Sequence, residues 1–429
     1  MMTGTIMLGL EPAAGYRSRG IRSRTRRWLR SASAKASLRV NPTTAAAKHV
    51  TAAKLDLGGT LRARDASETL AWVQPLLPRF GITRVANITG LDRIGIPVWI
   101  SVRPHGRSLS VAQGKGLTPE LAQASAMMES IECHYSEHVA APDFVASFRS
   151  ARRRHDLVAP RSLQPGLRWR HYDDSRPIAW IRGTDLDTGG DVFLPHVRVD
   201  LDWSRSHPDA GLFLTTSTGL ASGNTRDEAL CHAIFEVVER DSEDRWDRLA
   251  GSARQATELD PDSVAAPMLR CLLDQFAAAG VSVSMWDVTS EIGIPVYYCS
   301  ISDTDPFGGG AAFGGSGCHL SKEIALARAL TEAAQSRLTF IAGSRDDVFP
   351  ELYVPAEADR PATPARPALD FATRQSPPLG ATFAEDLATT IRLLHAAGFR
   401  RVIAVDHTND LAIPVVNVVV PGARESERH

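Results

Sequence analysis

The sequence predicts an α/β fold of hairpins followed by helices, built on a mixed or antiparallel sheet. Two repeated patterns carry this expectation. The first is a stripe of the form A-x3-A-x2-E-x2-E at Ala122, Ala126, Glu129 and Glu132, and again at Ala229, Ala233, Glu236 and Glu239. A third copy, Ala325, Ala329, Glu332 and Gln335, ends in glutamine. Steps of four, three and three residues keep all four side chains on one face of a helix that turns every ~3.6 residues. The second pattern is Gly95-Ile96-Pro97-Val98, Gly293-Ile294-Pro295-Val296 and Ala412-Ile413-Pro414-Val415, each opening an apolar run. An earlier β-rich run, starting at Gly81, Gly280 or Gly398, precedes each one and gives strand, polar turn, strand. Together they describe three pseudo-repeated hairpin/helix units.

Taken in order, residues 1–54 carry a single acid, Glu11, against Arg17, Arg19, Arg22, Arg24, Arg26, Arg27 and Arg30. We expect a disordered basic tail, either a plain extension or a docking arm for an acidic partner. Arg26-Arg27 is followed by polar residues rather than an apolar stretch, which argues against an export signal. Residues 55–429 are expected to form a single catalytic domain. Gly114-Lys115-Gly116 leads into the first striped helix, Gly219 to Asn224 (GLASGN) into the second, and Gly308 to Gly317 into the third. Glycines there permit close backbone approach to a ligand. The second helix lacks an IPV hairpin, and Trp180 to Asp202, with a Thr-Gly-Gly turn, is expected to stand in for it. Residues 143–173 and the proline-rich 345–383 read as irregular, the latter as a lid or as disordered chain.

Composition sets outer limits. The chain has 429 residues, 48 basic against 49 acidic, 43% hydrophobic and 23% charged. That is ordinary globular composition, and its near-zero net charge argues against a general nucleic-acid binder. The five cysteines form no C-x-x-C pair, which points to a reduced, cytoplasmic protein. No apolar run approaches the ~18 residues of a membrane span.

A solvated helix face would explain single glutamates. It explains less well why the pairs share a face with small residues three times. Clustered carboxylates stay charged only around a cation, or else hold protons. Oxygen ligands suit Mg2+, which commonly binds phosphates alongside a few carboxylates, and this implies a nucleotide. Arg240 follows Glu239 and Arg337 lies beyond Gln335, so phosphate-binding cations flank the stripes. No G-x4-G-K-[ST], kinase or H-E-x-x-H signature is present. His134 and His138 could make a zinc half-site, and Cys133, Cys231 and Cys318 read better as small buried thiols than as nucleophiles.

Three stretches, QGKGLTPELAQASAMMESIE (113–132), GLASGNTRDEALCHAIFEVVER (219–240) and RALTEAAQSRLTFIAGSRDD (328–347), resemble the YcaO family over roughly residues 60–422. The resemblance implies ATP and Mg2+ bound between glutamate-bearing helices, without a Walker motif. It also implies activation of a peptide backbone amide by phosphorylation of its oxygen after a nucleophile adds to the carbonyl carbon. A neighbouring Cys, Ser or Thr would give an azoline, sulfide a thioamide, an amine an amidine. By the same resemblance Glu129, Glu132, Glu236 and Glu239 hold the metal, while Asn224, Glu228 and Arg240 belong to the nucleotide site. Gln335 is a secondary member, and a phosphate-contacting arginine is matched by Arg337 or Arg345. Ala221 departs from members with a serine near the nucleotide. The ending VVNVVVPGARESERH lacks the Pro-x-Pro-x-Pro tail of many azoline formers. Together with the ITRVANITGLDRIGIPV and QSRLTFIAGSRDD stretches, it looks more like the TfuA-associated, thioamide-forming subgroup. A peptide or protein substrate, a TfuA-like partner, a sulfur donor and a homodimer are the implied partners, with no nucleic acid or membrane. Competing readings are an azoline-forming cyclodehydratase, a non-catalytic nucleotide-binding accessory protein and a metal-dependent hydrolase.

Overall fold

A computed structural model describes residues 53–304, 311–347, 369–408 and 411–425, and every pairing between its named strands is antiparallel. Strands β1 (Leu55–Asp56) and β2 (Leu61–Arg62) pair ahead of helix α1 (Ala66–Val73). A three-stranded sheet, β3 (Arg84–Asn87), β4 (Val98–Val102) and β5 (Val111–Lys115), leads into α2 (Pro119–Ser136). Next come β6 (Phe144–Ser147), the short α3 (Phe148–Ala151), β7 (Pro177–Asp185), β8 (Asp191–Pro195) and β9 (Leu220–Ser222), which leads into α4 (Arg226–Asp247). After α5 (Gly251–Gln255) and α6 (Pro267–Ala278), β10 (Val281–Asp287), β11 (Val296–Asp303) and β12 (Ala312–Cys318) form another three-stranded sheet ahead of α7 (Lys322–Ala342). Helix α8 (Phe383–Ala396) and strands β13 (Ile403–Asp406) and β14 (Val415–Val419) finish the chain.

The striped segments are α2, α4 and α7, and all start alike. Thr118, Thr225 and Ser321 are N-caps whose hydroxyls accept the backbone N–H three residues on, and an acid sits in each first turn. Such a cap is worth about 1 kcal/mol. Helix α7 stops at Gly343, whose φ of 54° is left-handed.

The hairpin expected at Trp180 to Asp202 forms as β7–β8, but it does not serve α4. The strand ahead of α4, β9, pairs instead with β14, whose partner is β13, so the hairpin beside α4 comes from the far end of the chain. Apolar run lengths carry no information on which strand edge they will find. Strands β6, β7 and β8 extend the same sheet through β13.

Described glycines ahead of the helices have a packing reason. A Cβ on Gly114 would lie 2.0 Å from Ala126 N and 2.2 Å from Ala122 O. One on Gly315 would lie 2.2 Å from Ala333 N and 2.5 Å from Ala329 O. Strand backbone thus rests directly on helix backbone, with glycine on one side and the alanine stripe on the other. Those alanines are fully buried. A core of Val416 and Val418 from β14, with Ala229, Ala233 and Ile234 of α4 and Phe383 and Leu394 of α8, covers one side of the large sheet. Ile178, Trp180, Val197, Val199, Phe213 and Val405 belong to a separate core on β7 and β13.

The basic-tail expectation for residues 1–54 lies outside the described residues except at its end, where the boundary shifts. Ala53 bridges Thr382, and Lys54, its side chain buried, pairs with Asp386 at 2.5 Å. The described residues fall in one compact unit, and part of the 345–383 segment also lies outside them. Among the described residues no helix is long and apolar enough to cross a membrane.

The contact at Gly315 makes a stability prediction. Gly315→Ala forces a methyl into backbone and lowers unfolding free energy by at least the ~1–3 kcal/mol of ordinary overpacking. Gly90→Ala, where an added Cβ meets nothing within 4 Å, changes it little. Equal midpoints for the two variants in denaturant melts would refute this packing argument.

Candidate functional site

The glutamates of the three striped helices are held by backbone and side chains of the strands that precede those helices. Glu132 of α2 accepts both the N–H (2.7 Å) and the hydroxyl (2.6 Å) of Ser222 at the end of β9. Glu236 of α4 accepts the Gly219 N–H at 3.2 Å. Glu332 of α7 accepts the Ser316 N–H of β12 at 3.4 Å and pairs with Lys115 at the end of β5. Glu132 thereby ties α2 to β9, the strand ahead of α4, and Glu332 ties α7 to both β12 and β5.

The charges interact as one group. Glu236 feels Glu239 and Glu132; Glu239 feels Glu332 and Glu243; Glu129 feels Glu332. Burial, aided by the neighbouring acids and opposed by Arg240, pushes Glu236 up to about 8 and Glu239 to about 7. Glu132 also rises to about 7 through burial, with the Ser222 hydrogen bonds opposing. Burial raises Glu129 as well, against Arg345 and Lys115. Glu332 moves the other way: burial works to raise it, but Lys115 and Arg240 outweigh that. These side chains are deep in protein yet, Glu239 excepted, only half-buried, so each keeps an edge toward solvent.

Arg240 sits among the acids, 2.8 Å from Glu243 and 3.7 Å from Glu239. Oε2 of Glu239 is buried with no hydrogen-bond partner. Among the described residues, no three of these carboxylates place oxygens within 4.8 Å of one another. The acids therefore do not form a closed protein cage for an ion. They suit one that arrives with most of its oxygen ligands as water and phosphate, the habit of Mg2+.

The remaining expected residues divide. Asn224 and Glu228 are bound to each other: Glu228 accepts the Asn224 N–H at 3.1 Å, the Ala63 N–H at 3.2 Å and Arg62 Nη1 at 3.3 Å. Arg345 acts on Glu129 from beyond the end of α7 and pairs with Asp347. Arg337 does not join the acids; its guanidinium is held by Asp92 at 2.9 Å and Asp303 at 3.1 Å. Gln335 is half-buried on the stripe, one turn after Glu332. Ala221 points into the core below α4, whereas Ser222, next along the strand, turns to Glu132. Burial pushes the Cys133 thiol up to about 12 and raises those of Cys231 and Cys318 as well, as expected of inert thiols. His134 and His138 stack on each other at 4.3 Å and lie outside the one metal-type grouping among the described residues.

Lys115, Arg62, Glu243 and Arg328, which acts on Glu239 and Glu332, join the site without having been expected there from sequence. Lys115 had a signal, a lysine between glycines just ahead of a striped helix. Arg328 has one too, four residues before Glu332. Arg62 approaches Glu228 across 166 residues and has no local signal.

Comparison with known proteins places this geometry. Residues 113–424 match the family described as YcaO cyclodehydratase, ATP- and Mg2+-binding. A Rhizobium leguminosarum bv. trifolii protein named for its position in the tfuA 3′ region is 36% identical over 375 residues, 84% of this chain and 88% of that protein. A Methanothermobacter thermautotrophicus protein is 35% identical over 83% of this chain and 93% of its own length. Among solved structures, the Methanopyrus kandleri YcaO bound with AMPPCP and Mg2+ superposes with a TM-score of 0.67, covering 86% of this chain and 93% of that one at 24% identity. A heterocyclase in complex with substrate and cofactor superposes at 0.66 over 85% of this chain and 53% of that one, at 20% identity. The mixed α/β architecture with antiparallel sheets is the YcaO fold, and the chain belongs to the YcaO family, with its relative beside tfuA supporting the TfuA-associated subgroup.

Proposed function

We propose that this chain is an ATP- and Mg2+-dependent enzyme that activates a backbone amide of a ribosomally made peptide or protein, and that its product is a thioamide. The observation that carries the first part is the buried group of acids and cations contributed by α2, α4 and α7 together. Glu129, Glu132, Glu236 and Glu239 would hold the metal, with Arg240, Lys115, Arg328 and Arg345 facing phosphate charge and Asn224 with Glu228 shaping the start of α4 beside them. Bound Mg2+ would neutralise phosphate charge and orient the nucleotide. In the reaction, sulfide adds to the amide carbon and the amide oxygen takes the γ-phosphoryl group of ATP, releasing ADP. The C–O bond then breaks to expel phosphate as the added sulfur gives up its proton, leaving C=S. The tfuA-adjacent relative supports sulfur as the nucleophile and a TfuA-like protein as partner. A second reading, azoline formation, is supported by the cyclodehydratase description of the family. Mass spectrometry of a reacted peptide separates them: the thioamide exchanges oxygen for sulfur, whereas ring formation loses water. A peptide that loses water without taking up sulfur would overturn the thioamide assignment.

The arginine placement predicts a split. Arg345→Gln weakens Mg2+-dependent ATP binding about tenfold, ~1.4 kcal/mol, and Glu236→Gln does so at least equally. Arg337→Gln leaves the nucleotide Kd near wild type but lowers Tm, since it takes the buried cation from Asp92 and leaves Asp303 with Arg93 alone. Calorimetric titration of ATP with and without Mg2+ checks this, and an Arg337 variant defective in nucleotide binding with an intact Tm would contradict it.

Proton linkage makes a further prediction. Glu236, Glu132 and Glu239, raised to about 8, 7 and 7, hold protons near neutral pH in the empty site. Metal binding needs them ionised. Affinity for Mg2+ with ATP therefore rises from pH 6 to 8, and the binding enthalpy at pH 7 depends on the ionisation enthalpy of the buffer. The sign for folding is opposite. The folded state keeps protons that unfolded glutamates release near pH ~4.3, so these groups' contribution to the empty protein's stability falls as pH rises toward 8. A buffer-independent enthalpy would count against protonated glutamates.

A further inference from the structure

Away from the glutamates, one other group among the described residues has the donor set of a metal centre. His196 follows directly on β8, and Asp200 and His207 come after it in the loop toward β9. One ligand atom from each lies within 4.8 Å of the other two. We propose that His196, Asp200 and His207 bind one divalent transition-metal ion of the Zn2+ class.

The orientation of His196 carries the argument. Its Nε2 donates to the Ala140 carbonyl at 2.8 Å, which fixes the tautomer and leaves a lone pair on Nδ1. A second-ring-nitrogen bond to a carbonyl is the habitual support of a metal-ligating histidine. The residue is 5% exposed, and Nδ1 is buried with no hydrogen-bond partner. Oδ2 of Asp200 lies 3.8 Å from that nitrogen, beyond hydrogen-bond reach, so an ordinary ion pair does not account for the arrangement. Oδ1 of Asp200 is already taken by the Asp202 N–H at 3.0 Å, which leaves Oδ2 to face the histidine. The His207 ring stacks parallel to that of His196, 8° between planes and 5.6 Å between centres. Its Nδ1 accepts the Asp209 N–H at 3.0 Å, a bond that ion capture at this ring would exchange for the metal. His407, whose Nε2 is also buried without a partner, lies within electrostatic reach of His196.

Two imidazoles and one carboxylate select a borderline transition ion over Mg2+ or Ca2+, which prefer all-oxygen shells. Arg205, exposed, now neighbours Asp200 at 4.0 Å but bonds chiefly to Asp202, so it need only swing outward. The site would brace the loop that ends at Gly219. The Thr215 hydroxyl donates to the Val197 carbonyl at 3.0 Å within this loop, and the Gly219 N–H holds Glu236.

The full-length protein, stripped with a chelator, is titrated with Co2+ and separately with Zn2+. The expected result is one ion per chain, cobalt ligand-field absorption without a thiolate charge-transfer band, and a rise in Tm with Zn2+ that Mg2+ does not reproduce. His207→Gln, chosen because this ring is only half-buried, and Asp200→Asn each lower Co2+ affinity by at least about tenfold and abolish the Zn2+-dependent rise in Tm. Glu236→Gln retains both. Retention of the cobalt spectrum and affinity in both loop variants overturns the site, as does a wild-type chain that takes up no Co2+ or shows thiolate ligation.

Discussion

Everything at the candidate site depends on how closely three helices lie on the strands before them. Gly114 against Ala122 and Ala126, and Gly315 against Ala329 and Ala333, leave no room for a side chain between strand and helix backbone. Glycine inside a strand is unfavourable by roughly 0.5–1 kcal/mol, so its use there needs a compensating contact, and the buried alanine stripe supplies it. The consequence reaches beyond packing. Because the glutamates continue the same stripe one and two turns later, the contact that fixes the helix also fixes where its carboxylates point.

Bringing those carboxylates together raises an electrostatic problem that the structure solves in two ways. Glu332 is neutralised by Lys115 and Arg240, and stays ionised despite burial. Glu132, Glu236 and Glu239 have less cationic support and keep protons near neutral pH instead. The first acid is satisfied within the protein, whereas the others are poised to exchange protons for a cation. Strand backbone tempers the cost: the N–H groups of Ser222 and Gly219 donate to Glu132 and Glu236. The same strand ends that make room for the helices therefore also solvate their charges.

Much of this was legible in the sequence because it rests on short-range periodicity. The alanine–glutamate stripes, their N-caps and two of the three hairpins ahead of helices are local patterns, and they fold as such. What escaped was long-range. Nothing in Trp180 to Asp202 says that its hairpin will sit away from α4, or that β13 and β14 will return from the end of the chain to take that place. Arg62 reaches Glu228, and Lys115 reaches Glu332, across 166 and 217 residues. The glycines were visible, but their partner was not: strand glycines before a helix suggest ligand approach when seen alone, and only the facing alanines show that the helix itself is what approaches.

The two arginines after Glu332 show that one further step was available from helix geometry. Five residues separate Glu332 from Arg337, a rotation of about 140° around the axis at ~100° per residue, which carries Arg337 off the glutamate face. There it meets Asp92 and Asp303, and Phe313 beneath its guanidinium. Gln335, three residues on, stays near the stripe. Arg345 escapes the periodicity altogether, because α7 ends at the left-handed Gly343 and the chain turns before reaching it. That turn lets a residue beyond the helix act on Glu129 of α2. Helical phase thus sets which charged side chains of α7 serve the acids, and the glycine stop adds one that phase alone could not supply.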